Sequence, residues 1–585
     1  MAKKDYSRLE KDELIQIIDK LESRKKYGLV WDEEKTKEQF EKESENALPV
    51  LKEVKSKEII TDPKEPINIL IEGDNYHSLS VLNYTHQSAI DIIYIDPPYN
   101  TGNKDFAFND CYVDLEDAYR HSKWLSFMNK RLRLAHGLLK TDGVIFMSIG
   151  ESEVANLKLL SDEIYGENNF ISYVARVAKT ASNKGNYFAP SIDFILVYAK
   201  NISSLPLFKD EVNVDLYKKK DKKGFYRDDV ALYQSSLDIR PNQRYFIECP
   251  DGSLVIPPGN VFPRKKKDAA FIKPETSADR VWRWSYPTYL EKKDLLVFKG
   301  TKRSPLLDQN GKPAKWNIYT KSYLDERSEV GTVPRNFLDQ FINRKGADFL
   351  KTIDIDFNYS KPVELIKYLI RIANKSLDIT VLDFMAGSGT TGQAVLEMNK
   401  NDNGKRSFIL CTNNELNDVS DDSVKKDQKA NKEEFGLCRR VTIPRLERII
   451  KGYKDFEPLG SNLKYFKTAF VKKNINQDQN KINITNKCTE MLCLKEGIFD
   501  LIKEKDDYRI FSKNGRIMAV YYSFLNDSIK ELKKTLDKMG GKKILYCFTL
   551  DSFGLNKDNF IGWDDVILEP IPQKILDIYE EIYEY

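Results

Sequence analysis

Apolar residues along this chain fall into helical and strand-like rhythms that change at a few clear points. Near the start, Leu14, Ile17, Ile18 and Leu21 recur at helical spacing behind a capping box at Ser7 to Glu10, and Gly28 stops the pattern. From residue 61, short apolar runs at Ile67 to Ile71, Asp91 to Asp96, Val144 to Ile149 and Phe194 to Tyr198 read as strands, the second of them of the buried parallel type. Helical patterns separate them: His77 to Leu82, a long stretch through Trp124, Phe127, Leu132, Leu134 and Leu138, and Val154 to Ile164. Between 201 and 350 the rhythm is lost in an irregular, aromatic stretch. It resumes with a helix at Pro362 to Asn374, a strand at Ile379 to Asp383, a helix at Thr390 to Met398 and a strand at Ser407 to Thr412. Residues 413 to 435 are polar and read as a loop; beyond 455, strands at Ile517 to Tyr522 and Ile544 to Thr549 flank a helix at Ile529 to Met539. Alternating strands and helices predict a doubly wound, Rossmann-like α/β sheet with a large insert and a C-terminal α/β segment. The expected divisions are 1–60 (helical), 61–200 and 351–455 (two parts of one α/β core), 201–350 (insert) and 456–585 (C-terminal domain).

Composition narrows the class. At 585 residues several domains are expected, and 41% hydrophobic residues supply their cores. No run approaches the ~20 apolar residues of a membrane span, and the first residues lack a signal-peptide pattern. Seven scattered cysteines without a CxxC pair, and only four histidines, argue against a structural metal and for reduced thiols in a cytoplasm. Net charge is +4, so a nucleic-acid partner would need locally concentrated charge. The insert offers it at Lys218 to Lys223 and Arg264 to Lys267, with Arg240, Arg244, Arg280 and Arg283 as candidates for base edges. A lysine run is more often a solvated surface, and Trp282 and Trp284, two apart, read as core of the insert.

Two motifs carry chemistry. Asp96-Pro97-Pro98-Tyr99 ends a buried strand, the edge where open α/β sheets bind ligands. An amino group on an aromatic ring is a poor nucleophile because its lone pair is delocalised. Two acceptors facing its two protons favour the pyramidal form that frees the pair. The Asp96 carboxylate is one such acceptor and the Pro97 carbonyl, held between rigid prolines, the other, while Tyr99 offers a flat face to an extruded base. The second motif runs from Val381 through Asp383, Phe384, Gly387 and Gly389 to Thr390: a strand, a glycine turn and a helix start. Its backbone can approach a ligand closely and offers free N–H groups to an anion such as an amino-acid carboxylate, with Asp383 available for an ammonium. The full phosphate-loop pattern is absent.

Asp96 to Tyr99 preceding Phe384 to Gly389 resembles the beta order of amino-methyltransferases, which use S-adenosylmethionine. More closely, Tyr27 to Trp31, Leu70 to His77, Asp96 to Gly102, Leu196 to Lys200, Trp282 to Trp284 and Phe408 to Glu415 resemble the modification subunits of type III restriction-modification systems. The resemblance implies a site-specific adenine-N6 methyltransferase acting on duplex DNA, with the insert as target-recognition domain, a homodimer, and a restriction subunit as partner. It also implies cofactor roles: Asp74 and Asn75 at its adenine, Lys361 and Pro362 over its methionine part, and one of Asn413, Asn414 or Glu415, with Glu415 preferred, at its ribose. Ser148, Ile149 and Gly150 depart from the acidic turn expected before Glu151. The competing readings are cytosine-N4 methylation, methylation of RNA or protein, and a non-catalytic DNA-binding subunit.

Overall fold

The computed structural model describes residues 29–33, 35–38, 47–102, 105–109, 111–180, 187–234, 241–414, 436–523 and 528–583. The N-terminal helix expected over Ser7 to Leu21, and residues Tyr27, Arg240 and Glu415, lie outside these.

Residues 1–207 and 335–585 form one compact unit and 208–334 another. The larger is built on a ten-stranded sheet. Its strands are β1 (Ala47–Glu53), β2 (Ile67–Glu72), β3 (Ile90–Ile95), β4 (Leu139–Ile149), β5 (Phe170–Val177), β6 (Ile192–Ala199), β7 (Phe337–Leu338), β8 (Thr380–Asp383), β9 (Ser407–Thr412) and β10 (Asn462–Lys472). They lie in the order β1-β10-β2-β9-β8-β3-β4-β6-β5-β7, parallel from β10 through β4. Strands β2, β3, β8 and β9 are nearly continuous apolar runs because helices cover both faces of a parallel sheet.

Helices α1 (Asn75–Thr85), α2 (Arg120–Leu138), α3 (Val154–Tyr165), α4 (Val363–Ala373), α5 (Thr390–Asp402) and α6 (Ile443–Lys451) complete the part that concerns the site. The chain leaves β3 through α2 toward β4, and leaves β8 through α5 toward β9. β3 and β8 are neighbours whose connections depart in opposite directions. Such a topological switch point opens a crevice at the carboxyl ends of the two strands.

Two expected divisions change. Residues 47–53, assigned to a helical segment, form the edge strand β1, antiparallel to β10. Pro49 is tolerated there because an edge strand has one unpaired side. Residues 456–585 do not stand apart: β10 pairs with both β1 and β2, and the Tyr579 hydroxyl donates to the Pro49 carbonyl at 2.6 Å. The rest of this tail makes a five-stranded sheet between Asp500 and Ile571.

The smaller unit, 208–334, is narrower than the expected 201–350 insert. It packs short antiparallel strands around Leu232, Tyr245, Val255, Trp282 and Ile318. Trp282 is buried as expected, and Trp284 packs against it from the margin of the core. Arg244 is corrected: it is fully buried and donates to the carbonyls of Val261, Pro257, Pro258 and Arg280, so it holds loops together and reads no base. Lys219 and Lys223 are neutralised by Asp228 and Glu326, whereas Arg264 to Lys267 are all exposed.

Candidate active site

Asp96 follows β3 directly, at the mouth of the crevice. Lys361 Nζ donates to Asp96 Oδ2 at 2.5 Å, and the other carboxylate oxygen, Oδ1, is buried without a hydrogen-bond partner among the described residues. A buried acceptor left open is costly, so it marks a place for a donor. The turn is fixed from behind: Trp124 Nε1 donates to the Pro98 carbonyl at 2.8 Å. Asn100 takes a left-handed φ of 54°, which asparagine tolerates, and its amide donates to buried Glu153.

The Tyr99 hydroxyl donates to Asp193 Oδ2 at 3.2 Å, and Arg176 grips the same carboxylate through Nε and Nη2. Burial, ahead of the charges of Asp96 and Asp193, pushes the Tyr99 phenol far above its ordinary range, so it stays neutral. The unexpected glycine at 150 has its explanation here, since a Cβ would stand 2.7 Å from Tyr99 Cδ2. Lys361 Nζ lies 5.0 Å from the centre of the Tyr99 ring.

Beside this turn is a cavity of about 470 Å³, lined among others by Asp74, Asn75, Pro98, Phe384, Met385, Gly387, Thr412 and Asn413. Asp74 caps α1, accepting from Tyr76 N at 2.7 Å, and Asn75 Nδ2 donates to the Phe384 carbonyl at 3.2 Å, tying the two expected cofactor segments together. Arg131 of α2 was not foreseen. Fully buried, it pairs with Glu38 at 2.8 Å and Asp74 at 3.1 Å, bonds Asn75 Oδ1 through Nε, and stacks 3.8 Å from the centre of the Phe127 ring. Both Arg131 and Glu38 line the cavity.

The glycine turn has its expected form: Gly387 and Gly389 have φ of 49° and 78°, and Gly389 precedes α5. Two roles differ from expectation. Asp383 does not line the cavity; it accepts from Thr391 Oγ1 at 2.5 Å and Met385 N at 3.0 Å and so shapes the turn from beneath. Lys361 is engaged with Asp96, and Pro362 starts α4. Of the three residues expected at a ribose, Asn413 lines the cavity and Asn414 accepts from Arg439 N at 3.1 Å.

Burial is the largest influence on Asp383 and raises its carboxyl to about 7; Asp96 acts in the same direction, and the bonds from Thr391 and Met385 oppose it. The folded protein therefore keeps a proton that an unfolded chain releases near pH ~4. The contribution of Asp383 to stability is full below about 4 and is lost as pH rises through about 7. Asp383→Asn, neutral throughout, is expected to flatten the fall in urea stability across that window; an unchanged slope would contradict this assignment.

Known proteins resemble this chain over much of its length. A family model described as DNA methylase matches residues 90–417. The Mod subunit of the type III restriction-modification enzyme EcoPI from Escherichia phage P1 is 29% identical over 66% of this chain and 63% of its own length. The StyLTI Mod subunit of Salmonella typhimurium is 30% identical over 67% of this chain and 58% of its own length. The type II methyltransferase M.KpnI of Klebsiella pneumoniae is 31% identical over 66% of this chain and 88% of its own length. The matches thus span less than two thirds of either Mod subunit and most of the type II enzyme.

Proposed function

We propose, from the premise that this chain belongs to the DNA methylase family, that it methylates the N6 amino group of adenine in duplex DNA with S-adenosylmethionine as donor. The observation that carries the reading is the buried, unpartnered Oδ1 of Asp96, two residues before Pro98, which lines a cavity that reaches the glycine turn.

The cavity suits this cofactor in size and lining. Its 470 Å³ fall within the range of small-molecule sites. Phe106, Phe127 and Met385 give apolar walls for a purine, Asp74 and Asn75 give polar edges, and Gly387 gives close backbone. When bound there, the cofactor supplies the electrophilic methyl group on its sulfonium.

The remaining work falls to the chain. Asp96 Oδ1 accepts one proton of the target amino group and the Pro97 carbonyl the other, which localises the nitrogen lone pair. Tyr99, held by Asp193, provides the stacking face for the extruded base. Lys361 keeps Asp96 oriented by holding Oδ2. The exposed run Arg264 to Lys267 meets phosphates in the 208–334 unit.

Likeness to two type III Mod subunits supports a modification role beside a separate restriction subunit; that the chain acts as a homodimer in the cytoplasm is a further part of the proposal. Among the described residues no helix is long and apolar enough to cross a membrane. Base-resolved sequencing of host DNA with and without the gene tests the reading. It is expected to show one short motif that loses N6-methyladenine when the gene is deleted; an unchanged methylome, or loss of N4-methylcytosine, would overturn it.

A further inference from the structure

Arg445 of α6 is a fully buried cation. Arg131 and Arg176 are equally buried, and each holds an acid: Glu38 and Asp74 for the first, Asp193 for the second. Among the described residues no carboxylate pairs with Arg445; the charge of Glu397 is felt only through space. Its Nε donates to Gln393 Oε1 at 2.9 Å, and its Nη2 is buried without a hydrogen-bond partner among those residues. A buried charge lacking its counter-charge is strongly unfavourable, so the pocket around it is short of an anion.

Its remaining nitrogen points to where that anion would lie. Nη1 donates to Ser360 Oγ at 3.2 Å, Ser388 Oγ at 3.0 Å and Thr390 Oγ1 at 2.9 Å, and to the Ser388 carbonyl at 3.2 Å. The three hydroxyl oxygens stand 3.1 to 3.2 Å from one another. Ser388 Oγ donates to Ser360 Oγ at 3.1 Å and Ser360 Oγ to the Lys361 carbonyl at 3.2 Å, whereas Thr390 Oγ1 has only a 3.5 Å bond to that carbonyl and is the hydroxyl a carboxylate most readily takes over. These hydroxyls sit where α5 begins, among backbone N–H groups that the helix itself leaves unpaired. Gly387 of the same turn lines the cavity, and a Cβ added to it would meet nothing closer than the Met385 carbonyl at 3.9 Å, so the turn faces open space.

We infer that Arg445 is a positioning residue for a carboxylate: through Ser360, Ser388 and Thr390 it supplies the positive charge against which the amino-acid end of the cofactor docks at the glycine turn. The inference rests on the cofactor reading above and adds to it a charge from a helix more than fifty residues beyond that turn.

Calorimetric titration of the full-length protein with S-adenosylhomocysteine and with its decarboxylated analogue separates this from a structural role. Arg445→Gln keeps donors and removes the charge; it is expected to weaken S-adenosylhomocysteine by about tenfold or more and the decarboxylated analogue by less than about twofold. Arg445→Lys, which keeps the charge, is expected to recover most of the loss. Equal weakening of both ligands, or no weakening of either, would overturn the inference. Should Arg445→Gln fail to fold, Thr390→Val is expected to show the same selective loss, and an unselective one would overturn it equally. Failure of the wild-type protein to bind S-adenosylhomocysteine at all would remove the cofactor reading, and this inference with it, without reference to any variant.

Discussion

Asp96→Asn is expected to lower methyl transfer by roughly 10²–10³-fold or more, the scale seen when one preorganised polar contact to a reacting centre is lost. Cofactor affinity should move little, because the cavity wall is made by Asp74, Asn75, Phe384 and Gly387 and not by Asp96. The substitution is nearly isosteric, yet it removes the charge that pairs with Lys361 and can turn an N–H₂ toward the substrate amino group, where an acceptor is needed. Single-turnover transfer of labelled methyl to DNA, beside calorimetric binding of S-adenosylhomocysteine, reads the two quantities separately. Wild-type turnover in the variant would take Asp96 out of the chemistry; loss of cofactor binding in step with turnover would make it a structural residue.

Arg131→Met carries the largest expected effect on stability. Methionine replaces the stem of the side chain and leaves two acids, Glu38 and Asp74, without the cation that holds them. Burial already raises the Glu38 carboxyl above its ordinary range, ahead of the opposing pull of Arg131, so removing that pull leaves an acid poorly accommodated as an anion. Breaking a buried pair by deleting one partner costs about 3–5 kcal/mol. Asp74 and Asn75 lose their anchor at the same time, so cofactor binding should weaken along with stability. Denaturant unfolding with and without S-adenosylhomocysteine measures both. A destabilisation below about 1 kcal/mol, as for an exposed pair, would contradict the account.

Much of the site was legible because its two motifs are each contiguous and each ends a buried strand. Asp96 to Tyr99 and Phe384 to Thr390 could be placed at strand ends from apolar runs alone, and β3 and β8 are neighbours in the sheet. What could not be read was the partner of each charge. Lys361 was expected over the cofactor, but its ammonium reaches Asp96, 265 positions away, a pairing no local pattern encodes. Asp383 looked like a ligand group because it ends a strand, and only the positions of Thr391 and Met385 show that its oxygens are already used.

Some missed residues did leave a signal. Arg131 falls on the apolar stripe of α2 with Met128, Leu132, Ala135 and Leu138, and Arg445 falls on that of α6 with Leu446 and Ile449. A charge on a buried helical stripe requires compensation, which makes such positions worth marking in a sequence. Strand β10 was harder. Asn462–Lys472 contains three lysines, yet its Lys464 is almost wholly buried between Glu53 and Glu58 of the N-terminal region. Its place beside β2 is set by a pairing across nearly four hundred residues.

The central claim is that Asp96 and the cavity beside it act together on the amino group of a base. The most direct test is to incubate purified protein with duplex DNA and methyl-labelled S-adenosylmethionine, digest the DNA to nucleosides and identify the labelled product, with Asp96→Asn in parallel. Label in N6-methyldeoxyadenosine from the wild type alone is the predicted result. Label in N4-methyldeoxycytidine, in no nucleoside, or equally from both proteins would contradict it.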